Sequence, residues 1–222
     1  MYKWIFSFLL LLSLVSSEAS AGVVIGGTRI IFHGDRKEAT ISVNNTDATS
    51  WLVQSWTESL DGGKAPFIFS PPLFRLDGQQ KNVLRLLFTG GNLPEDRESL
   101  FWANIKSIPG ATDDENILQI AIKNQLKLIY RPTAIKKALK PDIYEKLQWS
   151  QQQGRLQVNN PTPFYMNFHS VVVNGKAVNY PEWVAPFASK TYDIPQLAAS
   201  GKVSWRVIND FGAPTATFEA AY

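Results

Sequence analysis

Nucleophilic and metal chemistry need thiols, imidazoles or suitably spaced carboxylates, and this chain is poor in all three. It has no cysteine and two histidines, His33 and His169. They lie far apart, and neither has a second imidazole at the HxxxH spacing that lets two ligands share one metal, so each reads as a polar strand residue. The carboxylate run Asp113-Asp114-Glu115 lacks the spaced oxygens and the glycine of a calcium loop and reads as a solvated hairpin tip. There is no Gly-x-Ser-x-Gly elbow, and Gly26-Gly27 is too small a fragment of a phosphate loop. Asn44-Asn45-Thr46 fits a glycosylation sequon but reads as a turn. No catalytic residue, metal or cofactor is expected, and the chain does not read as an enzyme. Its net charge of +3 is spread along the sequence rather than gathered, which argues against nucleic-acid binding.

What remains is chemistry of the backbone. From Ile117 to Arg131 the sequence runs Ile-Leu-Gln-Ile-Ala-Ile-Lys-Asn-Gln-Leu-Lys-Leu-Ile-Tyr-Arg. The even-numbered Leu118, Ile120, Ile122, Leu126, Leu128 and Tyr130 are apolar and their odd-numbered neighbours largely polar or small, the two-residue period of a strand with one apolar face. Strands usually have five or six residues. This one is long enough either to be an ordinary sandwich strand or to project past its own sheet and offer backbone groups and apolar knobs to another chain.

Strand signals recur about every ten residues around this segment. They run Gly22 to Phe32, Glu38 to Asn44, Trp51 to Glu58, Phe67 to Phe69, Leu73 to Arg75, Lys81 to Phe88 and Leu100 to Ile108, divided by turn clusters such as Asp61-Gly62-Gly63 and Gly90-Gly91-Asn92. That describes an all-β, immunoglobulin-like sandwich. After Arg131-Pro132 the pattern breaks into a linker with a possible helical turn, and Leu147 to Tyr222 then carries a second, shorter strand series. The expected organisation is a segment 1–21, a first domain 22–138 and a second domain 139–222. The first segment has the form of a signal peptide: Lys3, an apolar run Trp4 to Val15 too short to span a bilayer, then Ala19-Ser20-Ala21 ahead of a cut before Gly22. Removing it takes one base and one acid, so the net charge stays at +3. Export without cysteine fits a bacterial periplasm, with packing alone holding the fold. No stable membrane insertion is expected.

The Leu118-Gln119-Ile120-Ala121 and Lys127-Leu128-Ile129-Tyr130-Arg131-Pro132-Thr133-Ala134-Ile135 stretches closely resemble the signature of periplasmic pilus (fimbrial) chaperones. Four further stretches agree in family order: Thr28 to Phe32, Asp96 to Trp102 with Asn104, Asn160-Pro161-Thr162-Pro163-Phe164-Tyr165, and Ile208-Asn209-Asp210-Phe211-Gly212. The resemblance implies two immunoglobulin-like domains set in a boomerang. It implies donation of the first domain's last strand to pilin subunits that lack one, and delivery of those subunits to an outer-membrane usher. The short, cysteine-free stretch from Ile108 to Asn116 resembles the short-loop subclass that serves rod-forming pili.

By the same resemblance Arg29 and Lys127 grip the subunit's C-terminal carboxylate. Leu118, Ile120 and Ile122 fill its groove, and Glu98, Arg131 and Asp210 form a charged network across the domain junction. Three buried aliphatic side chains give roughly 5 to 9 kcal/mol gross, against an association cost of about 4 to 15 kcal/mol, so knobs and anchor are needed together. Leu118 and Lys127 lie about 30 Å apart along a strand, but Lys127 has the opposite parity to the Leu118 row. Twist, a bulge near Asn124 or a groove offset from the cleft would reconcile them. An exposed aliphatic row also implies self-association of the free protein. The alternative class is an exported carbohydrate- or surface-binding sandwich module, on the strength of seven tryptophans.

Overall fold

A computed structural model describes residues 22–111 and 118–222. The signal-like segment, the Asp113-Asp114-Glu115 run, Asn116 and Ile117 lie outside them, as does most of the stretch from which the short-loop subclass was read. The described residues form two β-sandwiches. The first contains β1 (Val23–Ile25), β2 (Arg29–His33), β3 (Glu38–Asn45), β4 (Trp51–Ser59), β5 (Phe67–Ser70), β6 (Leu73–Leu76), β7 (Lys81–Phe88), β8 (Ser99–Pro109) and β9 (Ile122–Arg131). One sheet has the order β1-β3-β7-β5 and the other β2-β9-β8-β4-β6. Phe32, Val43, Val53, Phe67, Leu84 and Leu128 meet between them and are almost fully buried.

The stretch expected as one strand from Gly22 to Phe32 is two strands in different sheets. β1 pairs antiparallel with β3 and β2 pairs parallel with β9. The chain crosses at Gly26-Gly27, where a Cβ on Gly26 would overlap the Ser42 hydroxyl, so the two glycines serve the crossing and not a phosphate.

The second sandwich contains β10 (Gln148–Gln152), β11 (Arg155–Asn159), β12 (Met166–Val173), β13 (Lys176–Ala177), β14 (Trp183–Val184), β15 (Ser189–Tyr192), β16 (Lys202–Val207) and β17 (Phe218–Ala221). Its sheets are β10-β11-β15 and β13-β12-β16-β17, with β14 beside β12. Trp149, Leu156, Met166, Val203 and Trp205 fill its core. The linker folds into two 3-10 turns, Thr133–Ala138 and Pro141–Lys146. The expected division after Ala138 falls inside this connector, whose Ile135 packs into the second core. Among the described residues no helix is long and apolar enough to cross a membrane, and no three His, Cys, Asp or Glu side chains are placed to hold a metal.

The histidines do not approach each other. His33 pairs with Arg131 in the β2–β9 ladder, and burial, then the Arg131 charge, hold its pKa below the ordinary value. His169 is exposed at a register shift between Phe168 and Ser170.

Candidate functional site

β9 is shorter than its sequence pattern. It begins at Ile122, and Leu118 and Ile120 precede it without regular structure. Its pairing with β8 runs unbroken from Ser99↔Tyr130 to Ser107↔Ile122, so there is no bulge at Asn124. The parity of the sequence therefore holds throughout the strand. On the even side, Leu128 and Tyr130 are buried in the first core, Leu126 is half-buried and Ile122 is 51 % exposed; beyond the strand, Ile120 and Leu118 reach 62 % and 82 %. A row that begins as core thus runs off the end of its own sandwich.

The backbone follows the same course. On the side away from β8, β9 pairs with β2, but only from Arg29↔Lys127 to His33↔Arg131. Among the described residues nothing pairs with Ile122 to Leu126 on that side. The first half of β9 is an open edge, with backbone groups available to another chain and an exposed aliphatic side chain at its start.

Lys127 marks the point where this edge closes. Parallel pairing sets it beside Arg29, the first residue of β2, and both lie on the odd, outer face of the sheet, which looks toward the second domain. Lys127 Nζ lies 4.7 Å from the Trp183 ring centre, and that ring packs edge-on against Trp102 at 6.0 Å. Trp102 is the β8 neighbour of Lys127, so the cation sits on a second-domain tryptophan that itself packs against the first domain. Arg29 Nη1 donates to the Ile208 carbonyl at 3.1 Å, while its buried Nε donates to nothing among the described residues.

Burial, then the neighbouring Arg29 charge, push Lys127 down to about 8, against the opposing pull of Glu182. Burial likewise lowers Arg29, opposed by Asp210, Tyr144 and Glu98. Two half-desolvated cations side by side, one with a spare donor, suit a carboxylate supplied from outside.

A pH dependence follows. The Lys127 pKa is lower folded than unfolded, so between about pH 8 and its ordinary 10.5 the unfolded chain binds more protons and stability rises with pH. Urea unfolding at pH 7.5 and 9.5 should show this increment in the native chain and lack it in Lys127→Met. The same increment in both variants would contradict it.

Arg131, at the end of β9, joins the domains. Its Nε donates to Glu98 Oε1 at 2.7 Å, and Nη1 and Nη2 donate to Asp210 Oδ2 and Oδ1 at 2.6 and 2.8 Å. Glu98 Oε2 accepts the Tyr165 N–H at 2.7 Å, so both its oxygens receive donors, a set that the carboxylate form completes. Burial pushes Glu98 up to about 7 against the pull of Arg131. Burial also works against the Arg131 charge, but Asp210 and Glu98 outweigh it and hold its pKa above the ordinary value.

Around this network the Glu98 N–H donates to Pro163 O at 2.9 Å, and Arg97 lies over the Phe187 ring at 4.9 Å. Asn160, fully buried, donates to Phe164 O and Ala185 O and accepts from Thr162. It shapes the turn that presents Pro163 and Tyr165 to Glu98.

The expected site residues therefore fall into three places. Arg29 and Lys127 stand together on the cleft-facing side of the sheet. Leu118, Ile120 and Ile122 stand exposed at and before the start of β9. Glu98, Arg131 and Asp210 stand in one hydrogen-bonded group. Trp183 and Glu182 escaped the sequence reading, and Trp102 and Tyr165 figure there only as motif residues without a role; a lysine seated on a tryptophan more than fifty positions away leaves no periodic signal.

Two family models match the chain in tandem. Residues 22–136 match the pili and flagellar-assembly chaperone PapD N-terminal domain, and residues 142–218 match the pili assembly chaperone PapD C-terminal domain. The chain belongs to the pilus-assembly chaperone family. It is 40% identical over 213 residues to chaperone protein LpfB of Salmonella typhimurium, covering 91% of this chain and 90% of that one. It is 41% identical over 209 residues to chaperone protein FimC of Escherichia coli, covering 91% and 85%.

Among solved structures, one of Salmonella enterica SafA pilin in complex with the SafB chaperone matches with a TM-score of 0.83 and 40% identity, over 93% of this chain and 99% of that one. The E. coli chaperone DraB matches with a TM-score of 0.80 and 41% identity, over 90% and 95%. These matches span both sandwiches, so the two-domain, boomerang arrangement is that of the family.

Proposed function

We propose that this protein binds pilin subunits in the periplasm by donating the start of β9, caps them, and passes them to an outer-membrane usher for pilus assembly. The observation that carries this reading is the open edge at Ile122 to Leu126, which continues into an exposed aliphatic row and ends at the Arg29–Lys127 pair. A subunit lacking a strand exposes an apolar groove and unpaired backbone groups. Leu118, Ile120 and Ile122 would fill the groove, the open edge would complete the ladder, and Arg29 with Lys127 would hold the terminal carboxylate. Because knobs and anchor lie on opposite faces, the subunit would wrap the edge of β9, its groove on the core side and its terminus on the cleft side. Glu98, Arg131 and Asp210 would fix the angle of the cleft.

The signal-like segment 1–21 supports export with cleavage before Gly22. The surface-binding alternative gains nothing from the tryptophans: those among the described residues are buried or half-buried, not displayed as a platform.

The test is periplasmic co-expression with a pilin subunit followed by purification of the chaperone. Stoichiometric recovery of the pilin is expected; a protein that purifies alone while the pilin degrades would contradict the reading. The free protein should self-associate through the exposed row, seen as concentration-dependent sedimentation that Ile120→Asp abolishes. Strictly monomeric native protein at high concentration would oppose this.

A further inference from the structure

The second domain presents an acid close to the anchor. Glu182 immediately precedes Trp183, whose ring seats Lys127. Its φ is +56°, a left-handed conformation that a glutamate adopts only where its surroundings enforce it. Its carbonyl accepts the Phe168 N–H at 2.9 Å. The backbone is thus pinned, and the carboxylate is tethered within electrostatic range of Lys127. An acid there would draw the Lys127 ammonium to itself and repel an incoming carboxylate.

The side chain is held elsewhere. Glu182 Oε2 lies 2.5 Å from Lys190 Nζ on β15, with the lysine side chain 27% exposed and the glutamate 56%. Lys190 is the better fixed of the two, its ammonium 5.7 Å from the Tyr192 ring centre. The Tyr192 hydroxyl in turn donates to the Pro181 carbonyl at 3.0 Å, tying the strand that carries Lys190 to the residue before Glu182. Acid and base act on Lys127 with opposite signs.

Resting on the reading that Lys127 holds a subunit carboxylate, we propose that Lys190 is a positioning residue for that anchor: it retains and neutralises Glu182, leaving Lys127 and Arg29 to the incoming terminus. Lys190 itself does not touch the ligand. Its removal would leave a net negative charge at the cleft wall and free Glu182 to turn toward Lys127.

The test uses the whole chain and a short synthetic peptide with the sequence of a pilin C-terminus, as free acid and as C-terminal amide, in fluorescence anisotropy at low salt. The native chain should prefer the acid. Lys190→Ala should weaken acid binding about three- to fivefold, the scale of a surface ion pair, and leave amide binding unchanged. Lys190→Ala combined with Glu182→Gln should return acid binding to within about twofold of native, and Glu182→Gln alone should bind at least as tightly as native. Full acid preference in Lys190→Ala overturns the inference while leaving the anchor standing. A double variant as weak as Lys190→Ala also overturns it, because Lys190 would then be acting on the peptide directly. Equal binding of acid and amide by the native chain would overturn the anchor reading itself, a distinct result.

Discussion

Lys127→Met should lose a pilin subunit while keeping its fold. One charge-assisted hydrogen bond to a carboxylate contributes about 1.5 to 3 kcal/mol, so subunit affinity should fall about ten- to a hundredfold. Arg29→Ala should fall in the same range, and the double variant further, because the two cations share one carboxylate. Stability should move the other way. Lys127 is charged at neutral pH although burial and Arg29 push its pKa down to about 8, so replacing the ammonium by an apolar group of similar length removes an unfavourable term. The expected pattern is a urea midpoint equal to or above native with pilin recovery near background. Native-level recovery from both single variants would remove the anchor from the proposal.

Arg131→Ala should give the opposite pattern, a large loss of stability. Arg131 is 4% exposed and Glu98 3%, so removing the guanidinium leaves a buried carboxylate without its cation. Breaking a buried pair by deleting one partner costs about 3 to 5 kcal/mol. Arg131→Lys should recover only part of this, since the three donors of an ammonium radiate from one nitrogen and do not reproduce the planar fork whose Nε, Nη1 and Nη2 reach Glu98 and both Asp210 oxygens. Because Asp210 belongs to the second domain, small-angle scattering of Arg131→Ala should also show a broader distribution of interdomain angles. An unchanged urea midpoint together with an unchanged scattering profile would mean that the three ions stabilise nothing.

How much of this is legible in the sequence depends on which physical signal each feature leaves. Alternating apolarity places the Leu126, Leu128 and Tyr130 side chains on one face, because the strand period is two and the register with β8 never slips. It does not say where the strand begins. Ile117 to Ala121 continues the pattern, yet the ladder with β8 ends at Ser107↔Ile122, two residues before β8 itself ends at Pro109. Apolar patterning reports a face, whereas a strand also needs a neighbour to take its hydrogen bonds.

Gly22 to Phe32 fails as a single strand for a related reason: Gly26-Gly27 is a local break, but that the chain there passes close against Ser42 and changes sheet is a long-range fact. The charged groups became legible only through resemblance, since an isolated arginine or aspartate on a strand reads as surface. The Trp183 seat of Lys127, the Arg97–Phe187 contact and the Lys190–Glu182 pair arise from the packing of one domain on the other or of one strand on a loop, and neither has a sequence period.

The structure keeps Lys127 and the aliphatic row on opposite faces, since the ladder with β8 runs without a bulge at Asn124. Even residues leave the first core and odd residues enter the cleft, so a single strand presents apolar and charged chemistry to two sides of whatever binds it.

Site-specific photocrosslinking along Leu118 to Lys123, in complex with a pilin subunit, tests most directly that this row completes another protein's fold. Probes at 118, 120 and 122 should join to residues lining the subunit's groove, and probes at 119, 121 and 123 should not, giving a yield that alternates with a period of two. Equal yields at odd and even positions, or crosslinks only to the first domain of the chaperone itself, would mean that the exposed aliphatic row is not what the subunit takes up.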